Sequence, residues 1–375
     1  MSRGIVKERA FVVEWEKSEG SASVALAASR SEPVARRALW NLALPSDILA
    51  VTLTVLGFFI IALAIASLFG ISFTAPRPGK IPGLDANYWA PPIIAAVAYL
   101  AIQVVGRQFA RQNRPSWAVL GRRIFDDYYL LALFIFVIYV HFNIKMWIPV
   151  VNPALYDEEY FAVDQALRPL IDLFAWLRAW GARIIPATDI WYQAAFFAVF
   201  VLSYLTHSIG DRRWHYHNMI GLLLIEMVGP LSYLFAPAVG PFIFEQGPNV
   251  MATNAEFTMY EVYKQVLAGG AAWVSEHGGQ YFAQPLAAMP SLHVGATFVI
   301  VYYSVRARQW VSPLAVLAFA WIVIESVVAR WHYLIDLPVG LLLAAGVIFV
   351  TNRLCRARQA EIDRAGARDV FARQS

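Results

Sequence analysis

The chain has 375 residues, 59% of them apolar, 14% aromatic and only 15% charged, with a mean hydropathy of +0.53; soluble domains carry roughly a quarter charged residues, so a water-soluble globule is excluded. A single cysteine, Cys355, excludes an intramolecular disulfide framework, a cysteine-based zinc site and a cysteine-ligated iron–sulfur cluster. The formal charge of +4 is carried by short loops between apolar runs, a distribution that orients a membrane protein and does not point to nucleic acid.

Residues 1–47 are mixed and polar, without the apolar run of a cleavable signal, and read as a cytoplasmic segment. Eight apolar runs follow, each near the ~20 residues a membrane span requires: 48–70, 88–105, 127–150, 190–207, 217–236, 291–305, 310–330 and 333–352. None shows the period-2 alternation of a barrel strand, so the expected fold is all-α, a polytopic membrane helical bundle of about eight transmembrane helices. Lys and Arg accumulate before the first run, after the second (Arg107, Arg111, Arg114, Arg122, Arg123), at Arg212 and Arg213, at Arg306 and Arg308, and in the tail. Positively charged loops stay inside, so both termini are expected in the cytoplasm. The chain divides into two leading helices and a basic loop (48–126), a core of six helices (127–352) and a basic tail (353–375).

Two longer segments, 151–189 and 237–290, fall on the outer side. In the first, Tyr156, Tyr160, Phe161, Leu170, Phe174, Trp176 and Trp180 alternate with Asp157, Glu158, Glu159, Asp164 and Asp172, the pattern of an amphipathic helix lying on the outer surface or of a cap packed on the bundle. His207, His215 and His217, beside Asp211, Arg212 and Arg213, have irregular spacing for a metal site and are read as an aqueous cytoplasmic loop.

Two outer-side strings carry chemistry. The first, Ala288-Met289-Pro290-Ser291-Leu292-His293-Val294-Gly295, lies where a loop becomes span six. Read as a capped helix start it is only structural; read as an anion site it sets Ser291, the backbone through Gly295 and His293 at the positive end of a helix. The second is Arg330-Trp331-His332-Tyr333-Leu334-Ile335-Asp336, between spans seven and eight. Span six runs inward from His293 and span seven returns to His332, so both histidines reach one face, and Asp336 is spaced to orient the His332 imidazole. Glu226 and Glu325 fall inside spans, where a carboxylate is costly unless paired; Glu325 is read either as lining the same hollow or as packing.

Pro290-Ser291-Leu292-His293 together with His332-Tyr333-x-x-Asp336 resembles the second and third signatures of the type-2 phosphatidic acid phosphatase superfamily, which includes lipid phosphate phosphatases and vanadium haloperoxidases. The resemblance covers about the last 150 residues and is greatest to the inositol-phosphorylceramide-synthase-like branch. It implies a six-helix catalytic core. It also implies a nucleophile at His332 oriented by Asp336, an acid at His293, phosphate contacts at Ser291 and Gly295, and no metal or other cofactor. A lipid phosphate or phospholipid would be the substrate, water or an alcohol the acceptor, and the extracytoplasmic face of the plasma membrane the location.

The sequence also departs from the family pattern. The Ser-Arg pair expected before the third-signature histidine is replaced by Glu325-Ser326, leaving Arg330 as a substitute phosphate-binding cation or as an interfacial side chain. Where the first signature's lysine is expected stands Tyr233, followed by Gly240-Pro241; Lys145 and Lys264 are the spare outer-side cations, and Tyr233, Glu325, Lys145 and Lys264 are the candidate substrate-pocket residues. A transporter is disfavoured because the chain lacks repeated halves; an inactive lipid-binding protein is the remaining alternative.

Overall fold

A computed structural model of the chain describes residues 45–77, 90–109, 115–184, 190–245, 254–282 and 286–374. The predicted amino-terminal segment up to residue 44, and Arg111 and Arg114, lie outside the described residues. Every regular element described is helical: α1 (Ser46–Phe69), α2 (Ala90–Phe109), α3 (Trp117–Val151), α4 (Asp157–Ala166), α5 (Arg168–Gly181), α6 (Ile190–Ile209), α7 (Arg212–Ser232), α8 (Pro241–Glu245), α9 (Asn254–His277), α10 (Leu292–Arg306), α11 (Ser312–Val328) and α12 (Asp336–Gln374).

Each of the eight predicted spans coincides with a helix: α1, α2, α3, α6, α7, α10, α11 and α12. Five of these, α1, α2, α3, α6 and α12 as far as Arg356, are long and apolar enough to cross a membrane; α11 is apolar but shorter. α10 has 15 residues, about 22 Å at 1.5 Å per residue, against a hydrocarbon layer of about 30 Å. The chain is therefore a helical membrane protein. Large apolar side chains such as Leu53, Ile60 and Leu68 of α1 stay exposed on the bundle, as expected of surfaces whose solvent is lipid.

α7 is the central rod. It packs on α1, α3, α6, α10 and α12, and its residues from His215 through Met227 are buried on every side, the signature of a helix without a solvent face. α2 closes against α3 and α6, while α1 covers α3, α7 and α12. The three histidines read as belonging to an aqueous loop are instead buried in α6 and α7. His207 Nδ1 meets the Ser203 carbonyl at 2.9 Å, His217 Nδ1 the Arg213 carbonyl at 2.7 Å, and His215 Nε2 lies 3.3 Å from Asp127 Oδ1. Asp127 also accepts hydrogen bonds from Tyr99 and Arg212 at 2.5 Å. Asp211 caps α7 by accepting the Arg213 N–H, which starts the helix ahead of the apolar run.

The amphipathic segment resolves into α4 and α5, with Asp157 and Asp164 facing inward and Glu158, Glu159 and Asp172 exposed. Asp157 and Asp164 are buried, so α4 is a packed cap and not a helix resting on the membrane surface. α5 packs on α11, to which it is tied by the buried ion pair Arg178–Glu325, with the Arg178 guanidinium 4.7 Å from the centre of the Trp321 ring. Its opposite side exposes Leu170, Leu173, Trp176 and Trp180.

Two close approaches set the register at the end of the bundle where α10 and α12 begin. A Cβ at Gly340 would fall 2.4 Å from the Ser291 carbonyl oxygen, so α12 reaches α10 only because residue 340 lacks a side chain. Gly240, at φ +96, is 3.0 Å in the same sense from the Trp331 carbonyl. Gly340→Ala is expected to force α10 and α12 apart and to cost about 1–3 kcal/mol, read as a lower melting temperature in detergent. Glu325→Ala, which strands a buried guanidinium, is expected to cost about 3–5 kcal/mol, whereas replacing Arg178 and Glu325 together with methionine costs much less; thermal denaturation of the three proteins checks this.

Candidate active site

The two strings meet at one end of the bundle, where α10 and α12 begin. The Ser291 N–H donates to the Asp336 carbonyl at 3.1 Å, which joins the start of α10 to the start of α12. The Asp336 side chain turns back: Oδ2 is 3.1 Å from His332 Nδ1 and accepts the Tyr333 N–H at 3.0 Å. The pair therefore forms across the tight turn preceding α12. With Nδ1 held by a carboxylate, Nε2 is the ring nitrogen left for chemistry.

Three carboxylates shape this turn. Asp157, at the start of α4, accepts the Val239 and Gly240 N–H groups at 3.0 Å each and the Tyr333 hydroxyl at 2.7 Å. Asp164 accepts the Leu334 N–H at 2.8 Å. The Pro237–Pro241 stretch is thus stitched to the cap, while the Ala288 N–H donates to the Ala238 carbonyl at 2.8 Å and the Phe242 N–H to the Arg330 carbonyl at 3.2 Å. Burial pushes the Asp164 carboxyl up to about 6; the Leu334 N–H pulls the other way, and Asp336 and Glu245 add to the rise.

His293 stands on the first turn of α10, its ring packed between Tyr192 and Phe196 with centroids 5.0 and 4.6 Å away, and within electrostatic reach of Lys145, His332 and His141. It faces a cavity of about 200 Å³ whose wall includes Lys145, His141, Glu226, Trp331, Phe196 and Pro91. Ser291 is buried, and its hydroxyl has no partner among the described residues, nor does it cap α10. Gly295 serves the helix contact: a Cβ there would lie 2.9 Å from the Gly340 carbonyl.

The cation in this cavity is Lys145. Its amine lies 5.1 Å from the centre of the Tyr233 ring and makes no hydrogen bond or ion pair among the described residues. Tyr233, which occupies the position expected for the first-signature lysine, is thus the platform beneath a lysine supplied by the neighbouring helix α3. The other cation candidates are placed elsewhere. Arg330 does not line the cavity: its guanidinium meets Glu245 and, at 3.0 Å, the Pro241 carbonyl, a direction set by the left-handed turn at Arg330, φ 62. Lys264 pairs with Glu261 at 2.5 Å on the surface of α9, and Glu325 does not line the cavity because Arg178 holds it against α5.

Asp157, Asp164, His141 and Tyr192 were not singled out for the site by sequence reasoning. Asp157 and Asp164 had the only usable signal, two acids seven residues apart, which places them on one helix face.

His293 and Lys145 thus line an apolar hollow in a helical bundle, and the His332–Asp336 couple sits in the turn hydrogen-bonded to the start of α10. The PAP2 superfamily model matches residues 161–350, half of the chain, and the chain belongs to that superfamily. Membership makes it a phosphatase-type enzyme of the lipid phosphatase and phosphotransferase class. No curated protein and no solved structure matches the chain.

The Asp164 carboxyl gives a pH prediction. Because the folded chain holds this proton up to about 6 while an exposed aspartate releases it near 3.8, its stabilising contribution is complete below about pH 4 and lost as pH rises through 6. Relative to Asp164→Asn, the wild-type melting temperature should fall between pH 4 and 6 and run parallel above it, measured by pH-dependent thermal denaturation.

Proposed function

We propose that the chain is a lipid phosphotransferase working through a phosphohistidine, with His332 as nucleophile, Asp336 as its orienting carboxylate and His293 as acid and base. Asp336 carries the reading: its side chain holds His332 while its carbonyl holds Ser291, so the nucleophile and the start of the helix bearing the acid are fixed to one residue. His332 Nε2 attacks phosphorus as His293 protonates the departing oxygen, giving an N–P bond and a free alcohol or head group. His293 then takes a proton from the incoming hydroxyl, whose oxygen displaces the imidazole. Lys145 and the first-turn N–H groups of α10, with the Ser291 hydroxyl, stabilise charge on the non-bridging oxygens.

The string Phe235–Pro241 resembles what the inositol-transferase-like branch carries in place of a basic first signature, which favours that branch, and transfer to an alcohol, such as an inositol-like polyol, follows from that likeness. A lipid phosphate phosphatase, with water as acceptor, is the second reading, because the same residues serve both. The basic loops support an active site on the extracytoplasmic face of the plasma membrane, with both termini in the cytoplasm, and a core of the six helices α3, α6, α7, α10, α11 and α12 to which α1 and α2 are added.

His332→Ala is expected to lower turnover by roughly 10³-fold or more, and His293→Ala by roughly 10²–10⁴-fold. Incubating purified protein with labelled lipid phosphate and candidate alcohols should give a phosphorylated or head-group-exchanged alcohol; free phosphate as the sole product selects the phosphatase reading, and activity retained without His332 overturns the assignment.

A further inference from the structure

The cavity contains a polar pair that the phosphoryl chemistry leaves unused. His141 Nδ1 lies 3.0 Å from Glu226 Oε2 and 3.1 Å from the Glu226 carbonyl, with the two side chains 5% and 8% exposed. With Nδ1 engaged by Glu226, Nε2 is the ring nitrogen left to hydrogen-bond a ligand, and no group among the described residues pairs with it. Both side chains line the same hollow as His293 and Lys145.

Their depth is informative. His141 lies four residues before Lys145 on α3, about 6 Å along the helix, and Glu226 seven residues before Tyr233 on α7, about 10 Å. Lys145 and Tyr233 are in contact, so both offsets lead from the end of the bundle where α10 and α12 begin towards its middle. Further along, the wall turns apolar, with Leu131 and Ile135 of α3, Phe200 of α6 and Ile300 of α10. From that end inward the cavity thus presents a cation and an imidazole, then a hydrogen-bonding pair, then hydrocarbon. A lipid phosphate of glycerol or sphingoid type has the same order: phosphate, then a hydroxyl, ester or amide, then chains. An alkyl or isoprenyl phosphate lacks the middle group.

We propose that His141 and Glu226 bind the hydrogen-bonding linkage beside the phosphate and so select lipids that carry one. His141 precedes the region matched by the superfamily model, whereas Glu226 lies within it, so the pair joins α3 to the matched stretch. The inference rests on the phosphate lying beside Lys145 and the His332–Asp336 pair.

Binding of three non-hydrolysable phosphonates to the purified full-length protein in detergent tests it: dodecyl phosphonate, and chain-matched phosphonate analogues of lysophosphatidate and of sphingosine phosphate. At least one linkage-bearing analogue should bind the wild type on the order of tenfold more tightly than dodecyl phosphonate, the worth of one buried hydrogen bond to a charged pair; whichever gains identifies the glycerol or the sphingoid source. The ratio should fall to near one in His141→Phe and in the near-isosteric Glu226→Gln, the latter serving if the former does not fold. Equal binding of all three to the wild type, or a ratio unchanged in the variants, overturns the pair alone; failure of every phosphonate to bind overturns the phosphate reading and this inference with it.

Discussion

The end of the bundle where α10 and α12 begin depends on Asp336. One residue orients His332 and holds the Tyr333 N–H with a single carboxylate oxygen, accepts the Ser291 N–H at its carbonyl and begins α12. A buried carboxylate is expensive unless its charge is met by hydrogen bonds, and here both donors that meet it belong to the turn that precedes α12. The desolvation penalty thus enforces that turn, since opening it leaves the anion unsatisfied, while the carbonyl of the same residue ties the turn to the start of α10. Asp157 and Asp164 repeat the device from the cap side, gathering N–H groups from residues 239, 240 and 334.

The same economy explains the cap. α4 and α5 carry acids and aromatics because they must satisfy exposed backbone in the turns below and still cover an apolar rim. α4 does so through its two aspartates and through Tyr160, which meets Tyr333 edge-on at 5.9 Å. α5 does so through Arg178, whose charge is neutralised by Glu325 inside the bundle.

The helices were legible because crossing a bilayer demands long apolar runs, and the eight runs coincide with eight helices; their ends were less legible, α3 beginning at Trp117 and α12 continuing to Gln374. The convergence of the two histidine strings followed from helix direction alone. Pairings between distant segments were not readable: Arg178 with Glu325 is separated by 147 residues and Tyr333 with Asp157 by 176. Lys145 showed itself as the cavity's cation only once α3 lay beside α7 and Tyr233. The direction of the Arg330 side chain was not readable, because a left-handed turn, invisible to spacing arguments, points it to Glu245. The histidines of α6 and α7 were misjudged because hydropathy averages cannot distinguish a polar loop from a helix whose polar groups bond one another.

The cavity wall is assembled from both sides of one boundary in the chain. Glu226, His293 and Trp331 belong to the stretch matched by the superfamily model, whereas Pro91, Pro92, Leu131, His141 and Lys145 precede it. The hollow thus exists only where the leading helices close on the matched stretch, so a substitution in either part reshapes one shared lining.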